Sequence, residues 1–191
     1  MAESAAHGNI PAELQSIQAV LAAASYAAQK HAAQRRKGAA AEPYVNHLLE
    51  VAGMVASVLT APDTNLIVAA ILHDVVEDAG VTNQELAEIF GADVASLVAE
   101  VTDDKSLPKA ERKRLQVVNA PKKSTRAQMI KLADKISNLR AILTSPPTDW
   151  SWERRKEYFE WAKQVVDGLA APNPALKAEF ERTYQRFGID G

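Results

Sequence analysis

The 191-residue chain predicts an all-α fold, a single-domain helical bundle. Apolar residues recur at steps of three and four along almost the whole length, the period of a helix face rather than of a strand. Capping residues and helix terminators punctuate the chain at helical intervals. No repeat, low-complexity tract or interdomain linker interrupts it. Residues 1–191 therefore read as one domain, with a core over about 14–188.

The first helix is predicted over residues 11–36, with Leu14, Ile17, Leu21, Ala24 and Ala28 as its core-facing stripe. On that reading the basic triplet Arg35-Arg36-Lys37 closes the helix and His31 lies inside it. Residues 38–43 are small and rich in breakers, so they form a loop. A second helix follows Pro43, carries Leu48, Val51, Val55, Val58 and Leu59, and closes at Ala61-Pro62. Asp63 or Thr64 caps a third helix, which runs through Leu66, Ile67, Ala70, Ile71 and Val75 to Asp78. Its β-branched content is strand-like, but its length and helical neighbours favour helix. Thr82 and Glu85 have capping-box spacing and open a short helix ended by Gly91. Further helices are expected over 93–101, 109–119, 125–143, 152–169 and 174–187. Asn173-Pro174 is an N-cap and first-turn pair for the last of these, and Gly188 is its terminator.

Composition narrows the chemistry. The chain has no cysteine, which removes disulfides, thiolate metal sites and cysteine nucleophiles together. Lys and Arg number 22 against 24 Asp and Glu, a balance that argues against a nucleic-acid partner. No apolar run reaches the roughly 18 residues of a membrane-spanning helix. Residues 1–9 lack the basic-then-apolar start of a secretory signal, and His7 falls in this terminal stretch. The expectation is a cytoplasmic protein with no membrane partner, working through His, Asp, Glu, Lys and Arg.

The most informative stretch is Leu72-His73-Asp74-Val75-Val76-Glu77-Asp78. On a regular helix His73 and Glu77 share one stripe, and Asp74 and Asp78 the next. His47 stands in the first turn of an otherwise apolar helix, and Asp134 is embedded in the apolar face of another. Each alone is ordinary. Together His47, His73, Asp74 and Asp134 offer two imidazoles and two carboxylates, a set suited to Mn, Fe or Zn with positions left for water. Such an ion lowers the pKa of a bound water and polarises a phosphoryl oxygen. Glu77 and Asp78, one turn on, are placed to orient or deprotonate that water. Metal-assisted hydrolysis is the leading reaction class, and scattered cations suggest a phosphorylated substrate if they converge. Arg112, Lys113 and Arg114 read as a solvated helix face, and Lys122 and Lys123 as a solvated loop. Tyr158, Phe159 and Trp161 read as core residues, with Tyr158 also able to line a pocket.

His47, the His73-Asp74 doublet and Asp134 resemble the metal-binding pattern of the HD phosphohydrolase superfamily. More narrowly, PYVNH, LHDVVEDA and KLADKISNLR are similar to the hydrolase domain of RelA/SpoT-type alarmone enzymes. EVTDDKSLPKAERKRLQ (100–116) and EYFEWAKQVV (157–166) resemble the single-domain small alarmone hydrolases of the metazoan SpoT-homologue type. The resemblance implies removal of the 3′-pyrophosphate from ppGpp or pppGpp, usually with Mn(II), and no synthetase activity. It implies that His47, His73, Asp74 and Asp134 hold the metal and that Glu77 and Asp78 handle the attacking water. Arg36 and Lys37 match the pair that contacts the guanine nucleotide, and Asn138 the residue near its ribose. Lys105, Arg154 and Tyr158 match pocket-lining positions. The alternatives are another nucleotide substrate, such as a dNTP or the 2′-phosphate of NADPH, and a nucleotide-binding regulator without turnover.

Overall fold

The computed structural model describes residues 10–188; the N-terminal stretch with His7, and residues 189–191, lie outside the described part. Among the described residues ten α-helices follow one another: α1 Ala12–Lys30, α2 Val45–Ser57, α3 Thr64–Leu72, α4 Val75–Ala79, α5 Asn83–Phe90, α6 Ala92–Val101, α7 Lys109–Asn119, α8 Thr125–Thr144, α9 Trp152–Asp167 and α10 Pro174–Arg186. A 3₁₀ turn, Ala120–Lys122, joins α7 to the segment before α8. The expected all-α bundle is what forms, with no β-strand among the described residues.

The predicted caps hold. Asp63 accepts the Leu66 amide at 3.0 Å, Thr82 accepts that of Glu85 at 3.1 Å, and Asn173 accepts those of Ala175 and Leu176. Helix α8 is the axis of the bundle: thirteen of its twenty residues are buried, and α2, α6, α9 and α10 pack around it. Helix α3, nearly continuous in apolar residues, fills the space between α1, α2 and α6. No described helix is long and apolar enough to cross a membrane.

Two helices depart from the sequence reading. The α1 residues Leu14, Ile17 and Leu21 are 45%, 56% and 63% exposed, whereas Ala23 and Ala27 are fully buried. An alanine-rich helix carries more than one apolar stripe, and the small side chains of the alanine stripe permit close packing on the rest of the bundle. The predicted 64–78 helix is interrupted at His73 and Asp74, separating α3 from α4. Successive side chains on a regular helix diverge by about 100°. The interruption, with Asp74 at φ −106° and ψ −3°, lets both side chains aim at one point.

Helix α1 also ends earlier than expected. It stops at Lys30, with buried His31 as C-cap rather than as an interior residue. The His31 ring stacks on Tyr44, and its Nδ1 meets Gln34 Oε1 at 2.5 Å. The chain then loops out as expected and returns through a bridge between Arg35 and Pro43, so the basic triplet lies on a loop instead of a helix end. This loop is pinned to the end of α8, where the Ala40 amide donates to Ser145 Oγ at 2.9 Å. A Cβ at Gly38 would stand 2.0 Å from the Ser145 carbonyl oxygen, so only glycine fits.

Gly38→Ala should therefore destabilise the protein by about 1–3 kcal/mol in urea unfolding, as overpacking against a fixed backbone does. Gly53→Ala, in α2 with nothing within 4 Å of the added carbon, should instead stabilise by about 0.5–1 kcal/mol.

Candidate active site

Three parts of the chain bring their polar side chains to one place. His47 comes from the first turn of α2, His73 and Asp74 from the break between α3 and α4, and Asp134 from the middle of α8. His47 Nε2 lies 3.6 Å from Asp74 Oδ2 and 3.4 Å from Asp134 Oδ1; His73 Nε2 lies 3.3 and 4.0 Å from the same two oxygens. Both imidazoles are buried, and neither Nε2 has a hydrogen-bond partner among the described residues. A buried polar atom without a partner is costly, so two of them facing two carboxylates need an occupant between them. Ligand atoms of His47, His73 and Asp134 all lie within 4.8 Å of one another. The donor set fits a divalent metal ion.

The surrounding groups hold these side chains in place. The Ala70 carbonyl faces His73 Nδ1 at 2.8 Å and can only accept, so that nitrogen carries a proton and Nε2 is left toward the cluster. Tyr44 donates to Asp74 Oδ2 at 2.6 Å, Asn138 to Asp134 Oδ1 at 2.6 Å and Lys135 to Asp134 Oδ2 at 3.0 Å. Burial opposes the charge on His73, but the Asp74 and Asp134 carboxylates outweigh it and push its pKa up to about 9. Burial likewise works against the two carboxylates. His73 for Asp74, and Lys135 with His47 for Asp134, nevertheless hold them well below the usual carboxylate range. Burial and the facing Asp74 push the Tyr44 phenol up, so it remains a donor.

The acidic pair stands beside this cluster. Glu77 Oε2 accepts the Asp103 amide at 3.2 Å, and Arg112 Nη1 lies 3.7 Å from Oε1. Burial, together with the Asp74 and Asp103 carboxylates, pushes Glu77 up. Asp78 takes a hydrogen bond from Gln34 at 2.9 Å and another from Lys105, so Lys105 is held on the acidic pair.

Several of the cations singled out in the sequence can be placed relative to one another and to α8. Arg36 reaches across to α8, donating to Asn138 Oδ1 at 3.1 Å and to the Ser137 carbonyl at 3.4 Å. Arg154 lies 4.7 Å over the Trp150 ring, and Tyr158 is half-buried, its phenol pushed up by burial and the Asp134 carboxylate. Lys37 is exposed, yet near enough to Lys109 to act on it. Partial burial, then Arg154, Lys37 and Arg112, pull the Lys109 ammonium down against the opposing Asp149 carboxylate, so several cations lie close together here.

Helix α7 corrects the sequence reading. Of its basic triplet only Arg114 faces solvent, 59% exposed and paired with Glu111. Arg112 turns to Glu77, and Lys113 lies 4.7 Å over Trp161 and 5.6 Å over Tyr158. Lys135 of α8 joins from the other side, 4.4 Å over Trp161. Lys109 and Lys113 are one turn apart, a spacing that marks a shared face but not the direction it points. Nor is Lys123 a solvated loop residue: it donates to the Glu100 carbonyl, and burial pulls it down to about 8. Of the late aromatics, Phe159 is core, while Tyr158 and Trp161 are half-buried beneath these cations.

The HD domain pattern matches residues 23–162. The chain is similar to the Drosophila melanogaster guanosine-3′,5′-bis(diphosphate) 3′-pyrophosphohydrolase MESH1, at 48% identity over 164 residues, 86% of this chain and 92% of that protein. It is 47% identical to the Homo sapiens protein of the same name over 170 residues, 89% of this chain and 95% of that one. A solved structure described as "A metazoan ortholog of SpoT hydrolyzes ppGpp and plays a role in starvation responses" superposes with a TM-score of 0.85 at 46% identity, over 90% of this chain and 96% of that one. The resemblance read from the sequence motifs is borne out, and a pattern spanning most of the helical bundle places this chain in the HD domain family.

Proposed function

We propose that this protein hydrolyses the 3′-pyrophosphate of ppGpp and pppGpp, giving GDP or GTP and pyrophosphate. One observation carries this reading: a buried cluster of His47, His73, Asp74 and Asp134 lies beside Glu77, a carboxyl of raised pKa. The activity named for the relatives supports the choice of substrate.

His47, His73, Asp74 and Asp134 would hold the divalent ion, which we take to be Mn(II) on the family resemblance. Bound there, the ion supplies Lewis acidity toward a phosphoryl oxygen and toward water. The residues of the chain do the rest. Glu77, with its carboxyl shifted toward neutrality, takes a proton from the attacking water. Asp78, fixed by Gln34 and Lys105, orients that water. The water oxygen bonds to phosphorus, the bond to the ribose 3′ oxygen breaks, and that oxygen leaves as a hydroxyl after taking up a proton. Lys37, Lys109 and Arg154 neutralise the phosphates, while Arg36, Asn138 and Tyr158 border the nucleoside. On this reading the enzyme meets its nucleotide substrate in the cytoplasm.

Pure protein supplied with Mn(II) and ppGpp should release pyrophosphate; failure to do so, or faster turnover of a dNTP or of NADPH in the same assay, would sink the substrate assignment. Glu77→Gln should lower kcat by about 10²–10⁴-fold with metal content intact. Lys109→Ala should raise KM with little effect on kcat, and the native KM should rise with salt while the variant's rises less.

The raised pKa of His73 gives a further check. Protonated His73 stabilises the metal-free protein fully below pH 6.5, and that contribution is lost as the pH rises through about 9. Thermal melts of metal-free protein should therefore fall over that window. Mn(II) displaces the same proton, so calorimetric titrations in buffers of different ionisation enthalpy should show proton release, and affinity should tighten toward pH 9.

A further inference from the structure

Behind the donor cluster, α2 and α8 are joined by a chain of hydrogen bonds that the hydrolytic chemistry does not use. His47 Nδ1 lies 2.8 Å from Ser137 Oγ, and Ser137 is fully buried. The Ser137 hydroxyl donates to Glu50 Oε2 at 2.6 Å. The other Glu50 oxygen accepts Arg140 Nη1 at 2.9 Å, and Arg140 Nη2 continues to Glu179 of α10 at 2.7 Å. A hydroxyl has one proton to give, and here Glu50 takes it. Ser137 Oγ can then only accept from its remaining neighbours, His47 Nδ1 and Arg36 Nη1, the latter at 3.4 Å. The His47 proton must sit on Nδ1, and its lone pair on Nε2, facing the cluster.

We infer that Ser137 and Glu50 are positioning residues that fix the tautomer of His47 and so prepare its Nε2 to bind metal. The inference rests on the reading of His47 as a ligand. The two histidines differ in how they are held. His73 is oriented by a backbone carbonyl, which no side-chain substitution removes, whereas His47 relies on two side chains from different helices. Without Glu50, the Ser137 proton is free to turn toward His47 Nδ1. That reverses the hydrogen bond, drives the imidazole proton to Nε2 and blocks the lone pair. Groups that hold a ligating histidine by its other nitrogen act in this way, and their loss typically weakens metal binding by about 10–100-fold. The relay also touches Arg36, which ties the metal side of the site to the nucleotide side through one oxygen atom.

The test uses the full chain as native protein, Ser137→Ala, Glu50→Ala and Glu50→Gln. Long-range ¹⁵N–¹H spectra of alkaline metal-free protein, where the imidazoles are neutral, read the His47 tautomer directly. Mn(II) affinity is read separately by competition with a chelator. The native His47 should be the Nδ1–H form. Glu50→Ala should shift it toward Nε2–H, and Ser137→Ala should leave a mixture. Both should weaken Mn(II) binding by about 10–100-fold. Glu50→Gln keeps an acceptor for the hydroxyl and should retain the native tautomer and most of the affinity. An unchanged tautomer in both alanine variants would overturn the proposal. So would an equal loss in Glu50→Gln, since charge rather than the accepted hydrogen bond would then be at work. Ser137→Ala removes a single oxygen, so it keeps the test open if Glu50→Ala fails to fold. If the native chain takes up no Mn(II) while the tautomer still moves in the variants, the metal reading fails and the relay stands.

Discussion

Helix α8 runs through the middle of the bundle with Lys131, Asp134 and Lys135 each less than a tenth exposed, and ionised groups so far from water must be compensated in place. Lys131 donates to the Val101 carbonyl at 3.0 Å, Lys135 to Asp134 at 3.0 Å, and Asp134 also accepts from Asn138. The two imidazoles complete its surroundings. Burying these charges costs desolvation that apolar residues in the same places would not. What they provide is a carboxylate held ionised in a dry site, in register with groups from α2 and from the α3–α4 break. The fold is arranged around that requirement.

The electrostatic layout follows from it. The centre sets the Asp74 and Asp134 carboxylates against two imidazole nitrogens without hydrogen-bond partners, which suits a metal cation. Beside it Lys37, Arg112 and Arg154 lie near enough to Lys109 to act on it, which suits phosphates. Lys113 of α7 and Lys135 of α8 both lie over the Trp161 ring of α9, at 4.7 and 4.4 Å, so an aromatic face takes part in holding each cation. A net charge of -2 conceals this separation, because a whole-chain sum averages two opposed local fields. The near-neutral balance argued against a broad nucleic-acid surface, and it remains compatible with a local group of cations.

Much of the site is legible in the order of residues alone. His47, His73, Asp74 and Asp134 stand out because each is a polar residue in an apolar helical neighbourhood, where burial without a purpose is expensive. Asp63, Thr82 and Asn173 are legible as caps because capping is local and depends on a few adjacent residues. The α7 cations are not legible. Lys109 and Lys113 share a face whichever way the helix turns, and that turn is fixed by distant partners: Trp161, whose Nε1 donates to the Lys113 carbonyl at 3.0 Å, Glu77 on Arg112 and Asp103 on Gln116. The α1 stripe is misread for a related reason: Leu14, Ile17 and Leu21 are more hydrophobic than Ala23 and Ala27, but alanines allow the closer approach.

The helical periods, most helix ends and the identity of the donor side chains are set by residue type and short spacing, so local backbone chemistry is enough to read them along the chain. Packing settles the rest: which stripe of α1 is buried, where the α3–α4 helix breaks, which way α7 points its lysines, and which nitrogen of His47 carries its proton. Each of these turns on a neighbour far away in the chain. Ser137 and His47 are 90 residues apart, and the hydrogen bond between them exists only once α2 and α8 have packed.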